Sequence, residues 1–243
     1  MEQLRKILFL CILLAVSYTA FPQFVRGWGL FAGETSSRHR YKNKYPQDFQ
    51  SDPTFLHAQP PSHKGTEFES WSAGIFLEML NSSVWRWQTE LEYCNKGSKE
   101  NELTDWIANT HVKKVNKLTY IQWNNFLKRY IYIGINKPTY LIIGARAEYN
   151  LSKSTPAYSY IAGNFKKLWV SPDVGLGMEF KLRGPWSIFV EEHYNPDAWF
   201  QYRKDKIWAM NRTWETRVGL IYRIKQGIGA YDLDCNAPKY HGR

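Results

Sequence analysis

Glu191, Glu192 and His193 stand together in the run EEHYNPD, and two carboxylates beside an imidazole are the side chains of general acid–base catalysis. Enzymes at the rim of a membrane barrel would pair such a histidine with a serine nucleophile, and no serine lies beside His193. The six histidines, at 39, 57, 63, 111, 193 and 241, are dispersed, and no pair has metal-ligand spacing. G-x-S-x-G elbows, P-loops and dinucleotide fingerprints are absent. An enzyme is therefore not expected, nor a metal or other cofactor. His193 is expected instead to cap a network of buried charge.

That network is written in the spacing of the other ionisable residues. In VWRWQTELE, Trp85, Trp87, Thr89 and Leu91 alternate with Arg86, Gln88, Glu90 and Glu92. A helix would spread both sets around every face, whereas a strand sorts them onto two. The same rhythm sets Leu141, Ile143, Ala145 and Ala147 against Arg146 and Glu148, and Val174, Leu176 and Met178 against Asp173 and Glu179. It also sets Trp214, Val218, Leu220 and Tyr222 against Glu215, Arg217 and Arg223. With Glu191, these residues form one charged face of a single sheet.

Stepping along the chain, period-two segments recur at Phe24 to Gly33, Ser70 to Leu80, Val84 to Gly97, Leu118 to Tyr132, Thr139 to Leu151, Val170 to Leu182, Trp186 to Tyr194 and Arg212 to Ile224. No segment shows a convincing 3.6 period. Connectors alternate between turns such as Arg183-Gly184-Pro185 and long stretches, Thr35 to Glu69, Asn95 to Lys117, Ser152 to Trp169 and Asn195 to Asn211. The pattern predicts an all-β protein, an eight-stranded antiparallel up-and-down β-barrel with a long-looped end and a short-looped end.

Two solvents fit such a barrel, and the faces choose between them. A soluble carrier keeps its apolar face inside, yet the charged face here is too ionic to be a lipid pocket. An Arg or Lys aimed at mid-bilayer costs roughly 2–4 kcal/mol, so the apolar face meets lipid and the charged face fills the interior. The reading is a transmembrane barrel in the bacterial outer membrane. Its 11 Trp suit the aromatic belts at the membrane boundaries. Gly74, Gly144, Gly175, Gly177 and Gly219 lie on the charged face, where they are expected to leave room for long arginines and glutamates in a plugged interior.

The formal net charge of +10 resides mainly in the long connectors, which would lie beside lipopolysaccharide. The best candidate for a specific anionic ligand is Arg38, His39, Arg40, Lys42 and Lys44. Nucleic acid is not an expected partner, because the basic residues are scattered and no recognition motif appears.

The ends of the chain add a leader and a tail. Arg5 and Lys6 precede the apolar run Ile7 to Val16, so residues 1–23 read as a signal peptide, 24–224 as the barrel and 225–243 as a periplasmic tail. Tyr231, Leu233 and Tyr240 are candidate anchors for a periplasmic protein partner. Cys94 and Cys235 fall at opposite ends of the barrel, too far apart for a bridge.

The run Glu90-Leu91-Glu92-Tyr93-Cys94-Asn95-Lys96-Gly97 resembles the strand-three ending of the PorT-like outer-membrane barrels. Tyr140 to Leu151, Gly175 to Phe180, Phe189-Val190-Glu191 with Tyr194, and Val218 to Tyr222 are similar to that family's later strands. Trp123-Asn124 departs from it, where the family often has isoleucine-proline. The resemblance implies an eight-stranded barrel with no known active site. It further implies a scaffold or accessory subunit of a membrane complex, with type IX secretion or gliding as the pathway. The alternative is an outer-membrane enzyme or binder acting on lipopolysaccharide at the outer rim.

Overall fold

The computed structural model describes residues 25–43, 66–80, 82, 84–105, 110–132, 138–156, 165–197, 202–204 and 207–224. The expected leader, the expected tail with its three candidate anchors, Lys44 and Cys235 lie outside the described residues. The strands are β1 (Val25–Asn43), β2 (Phe68–Met79), β3 (Trp85–Asp105), β4 (Thr110–Tyr132), β5 (Pro138–Ser154), β6 (Leu168–Lys181), β7 (Trp186–Pro196), the three-residue β8 (Tyr202–Lys204) and β9 (Ile207–Arg223). Each pairs antiparallel with its neighbour, and β1 pairs with β9, which closes an eight-stranded barrel with β8 attached to the edge of β9.

The expected faces hold throughout. Ile75, Trp123, Ile143 and Leu168 are each 60% or more exposed, whereas Arg146, Arg217 and Glu148 are 0% exposed. Such an inside-out distribution is stable only where the outer surface meets hydrocarbon. Aromatic rings mark the limits of the band. At one end Trp28, Trp186 and Tyr222 cluster, with ring centroids 5.0–6.1 Å apart, and Arg129 sits over Trp85. At the other end Trp71 meets Tyr93 and Tyr194 meets Trp214. From Tyr222 to Trp214 a tilted strand rises roughly 20 Å, close to the height of an outer-membrane apolar band.

Two expectations are corrected. The glycines do not face arginines and glutamates for the most part; they face rings. Phe31 opposes Gly74, and Tyr140 opposes Gly177 in the ladder. A Cβ on Gly74 would fall 2.6 Å from the Phe31 ring, and one on Gly177 would fall 2.5 Å from that of Tyr140. Charge alone does not fill the cross-section. Phe31, Phe76, Phe189 and Ile221 form one buried cluster, and Phe126, Tyr130, Tyr140 and Ile142 form another.

The second correction concerns Asn95 to Lys117, expected as a loop. β3 and β4 stay paired from Asn95↔Thr119 to Asp105↔Thr110, so most of this connector is a β-ribbon rising above the membrane. Likewise β1 runs on to Asn43 against β9. Their described inward residues are mostly polar, His39 on β1 and Lys96, Ser98 and Asn116 on the ribbon, so no apolar alternation marks them.

Candidate functional site

Because β-strand side chains alternate, inward residues of neighbouring strands meet on the barrel axis. Arg217 from β9 donates through Nη1 to Glu90 Oε2 at 2.8 Å and through Nη2 to Glu92 Oε2 at 2.7 Å, and it also reaches Glu215 at 2.9 Å. Arg146 from β5 spans Asp173 at 2.7 Å, Glu215 at 2.7 Å and Glu92 at 3.3 Å. Asn124 donates to both Glu90 and Glu92. Both guanidiniums are wholly buried, and in so dry a place each needs its carboxylates as much as they need it.

His193 extends this core rather than opening onto the rim. Its Nδ1 lies 2.7 Å from Asp173 and its Nε2 3.1 Å from Glu191, with Phe126 against the ring, and it is 0% exposed. Only the doubly protonated ring donates from both nitrogens. Glu191 also receives Lys128 at 2.5 Å and the Tyr140 hydroxyl at 2.8 Å. Toward the short-turn end, Arg223 joins Glu78 at 2.7 Å and Glu179, which accepts from Tyr130. Of the residues expected in the charge network, Glu148 joins a separate set nearer the mouth, and all the others but Arg86 are brought into this core.

Arg86 is the exception. It is inward and 8% exposed, but stands 5.9 Å from the Tyr130 ring centroid and makes no ion pair among the described residues. Sequence reasoning missed Lys96, Lys128 and Glu78. In β4 the inward row reads Leu118, Tyr120, Gln122, Asn124, Phe126, Lys128 and Tyr130, a mixture in which one lysine gives no face away. Alternation on the outward row, Ile121, Trp123, Leu127 and Ile131, was the available signal.

Above the aromatic boundary, the outer mouth is closed by a second set of contacts. Lys96 is buried against Glu148 at 2.7 Å and Asn195 at 2.6 Å, and Ser171 ties those two partners together. Thr35 donates to the Asn95 carbonyl, and Ser37 both donates to the Gly97 carbonyl and accepts from its N–H. Asp197 accepts from Trp169 Nε1 and from the Asn211 amide. Burial, then the charge of Glu148, pushes Asp197 up to about 7. Burial pulls His39 down to about 4.

The expected anionic patch is divided by the pleat. Arg38 and Arg40 point outward, whereas His39 is 1% exposed and turned inward toward Ser98 and Phe165. Lys42 is described in its backbone alone. Cys94 is buried and free. Among the described residues no group of three His, Cys, Asp or Glu could hold a metal ion.

These features identify the architecture. The chain is an eight-stranded outer-membrane β-barrel. No family model matches its sequence, and no curated protein matches it. Among solved structures it is similar to the outer membrane protein OprG from Pseudomonas aeruginosa, with 9% identity, 84% of this chain and 98% of that one covered, and a TM-score of 0.51. It is also similar to Neisserial surface protein A (10% identity; 80% and 97% covered; TM-score 0.41) and to Ail, the attachment invasion locus protein of Yersinia pestis, solved in complex with the heparin analogue sucrose octasulfate (11% identity; 82% and 99% covered; TM-score 0.35). At such identities the likeness is one of fold. The inside-out barrel with its lipid-facing band, a fold that OprG shares, belongs to the bacterial outer membrane.

Proposed function

We propose that the protein is a non-enzymatic outer-membrane scaffold, an accessory subunit of a membrane complex. One observation carries this reading: the axis is occupied by Arg146 and Arg217, each 0% exposed and held by carboxylates from several strands. A route for solute would have to break several buried ion pairs at once. His193, the one histidine among the described residues that is set among carboxylates, is sealed in the same core. The parts left to act are the outer ribbons, the lipid-facing wall and the chain beyond Ile224. The resemblance to PorT-like barrels supports protein secretion or gliding as the pathway.

Two measurements test the proposal. In planar bilayers the purified chain is expected to give no steady conductance, and a stable ohmic pore would overturn it. Photocrosslinkers placed at Tyr231, Leu233 and Tyr240 in native outer membranes are expected to capture a reproducible protein partner, identified by mass spectrometry. Repeated absence of any specific adduct would count against an accessory role. An enzyme acting on lipopolysaccharide is the rival, and it requires that purified protein change the mass of lipid A.

A further inference from the structure

The outer ends of β4, β5 and β6 bear Lys117, Lys153, Lys166 and Lys167, all exposed, and residues 110–121, 149–156 and 165–172 contain no Asp or Glu. The ladder gathers them. Lys117 pairs with Ser154, the neighbour of Lys153. Lys153 Nζ donates to the Phe165 carbonyl at 2.7 Å, and the Asn150 amide donates to the Lys167 carbonyl at 2.8 Å. Lys167 lies 5.1 Å from the Tyr149 ring centroid and Lys166 lies 4.8 Å from that of Trp169. Among the described residues none of these four forms an ion pair.

This excess is directional. On the β1–β3 side, Arg38 is matched by Glu67 and Lys99 by Glu69, each at 4.0 Å. On the β7–β9–β1 wall the outward charges are mixed: Glu192 accepts from Thr216 and Glu34 stands across the ladder from the same threonine, while Arg38 and Arg40 on β1 and Arg212 on β9 lie further out. Among the described residues the β4–β6 face gathers four exposed lysines with no counter-charge beside them. Such a face repels itself until an anion joins it.

Depth indicates which anion. Tyr149 pairs with Ile121, which in turn opposes Tyr93 of the outer aromatic boundary, so Lys167 stands where lipid headgroups lie. Directly beneath are Leu168 and Val170, 63% and 50% exposed, beside Ala147. A ligand with phosphate at the boundary and acyl chains below it meets both surfaces. We infer that the β4–β6 face is a seat for a phosphorylated glycolipid of the outer leaflet, its phosphates on Lys117, Lys153, Lys166 and Lys167 and its chains along β5 and β6. This goes beyond the scaffold role and stands whether or not that role holds.

The test titrates the full chain in detergent with lipid A carrying both phosphates and with the same lipid A dephosphorylated, counting adducts by native mass spectrometry. A surface lysine contributes about five-fold to association with an anionic headgroup, so a preference of at least about ten-fold for the phosphorylated lipid is expected. The combined variant K117Q/K153Q/K166Q/K167Q should abolish the preference, the four lysine-to-arginine changes should keep it, and R38Q/K99Q should leave it untouched. Equal binding of the two lipids, or a preference that survives the glutamine variant, would overturn the assignment. Displacement by inorganic phosphate at matched concentration would also overturn it, by showing a site for free phosphate. If the glutamine variant fails to fold, salt decides on the native chain. Raising it from about 0.1 M to about 1 M cuts the Debye length from about 10 Å to about 3 Å, and a preference that persists would overturn the proposal.

Discussion

β3 passes through two environments, and its two halves are written differently. From Trp85 to Tyr93 it alternates apolar and charged side chains, while from Asn95 to Asp105 it alternates nothing, yet both halves hydrogen-bond to β4 in one continuous ladder. The pleat is the same in each. What changes is the medium: hydrocarbon on one face and ion pairs on the other below Cys94, polar surroundings on both sides above it. Period-two hydrophobicity therefore reports a difference between two solvents, and strand geometry without that difference leaves no such trace.

The sharpest contrast between the two zones lies in their ion pairs. Arg217→Ala would leave Glu90, Glu92 and Glu215 buried without their shared cation, at a cost of about 3–5 kcal/mol. Arg38→Ala in the outer ribbon breaks a 4.0 Å pair with Glu67 in which both side chains are substantially exposed, and should cost less than about 1 kcal/mol. Urea titration of the chain folded in lipid vesicles measures both. Similar losses would mean that water reaches the axis.

The outward faces give the second contrast. Leu176 is 54% exposed inside the lipid band, and Val115 is 40% exposed on the outer ribbon. Leu176→Lys should destabilise by roughly 2–4 kcal/mol, whereas Val115→Lys should be close to neutral in the same titration. A costly Val115→Lys would place the membrane boundary higher on β4 than the aromatic pairs do.

A smaller effect tests the ring-filled interior. Gly177→Val would push a side chain into the Tyr140 ring, which leaves no room for a Cβ, and overpacking of this kind costs about 1–3 kcal/mol. The double change Gly177→Val with Tyr140→Ala should recover part of that loss. Additive losses would mean that the two positions do not share space.

The same contrast explains what the residues disclosed beforehand. Strand count, order, facing and the Arg146–Arg217 core were legible because Glu90, Glu92, Asp173 and Glu215 recur at even spacing opposite lipid-facing Leu, Ile and Trp. Lys128 was hidden by the aromatic rings on its own inward row. Lys96 and His39 were hidden because they lie where alternation has ceased, and His39 read as one more cation among Arg38 and Arg40. The role of glycine was misread for a related reason. Spacing puts Gly74 and Gly177 on the charged face, but only the ladder tells that Phe31 and Tyr140 are their partners.

The smallest effects belong to the outer mouth, where two titrations oppose each other. His39 holds its proton only below about 4 in the folded chain, against an ordinary value of 6.5. Between those values the unfolded chain binds a proton that the folded one refuses, so this group adds stability as pH rises from 4 to 6.5. Asp197 keeps its proton up to about 7 against an ordinary 3.8, so over that window it removes stability as pH rises. Unfolding in vesicles should therefore depend weakly on pH between 4 and 6.5 in the native chain. His39→Gln should expose a decline with rising pH, and Asp197→Asn a gain. Hydrogen exchange at the Asn211 amide, which donates to Asp197, reads the opening locally. Identical pH profiles for the two variants would show that the mouth is already wet and that neither group is held away from water.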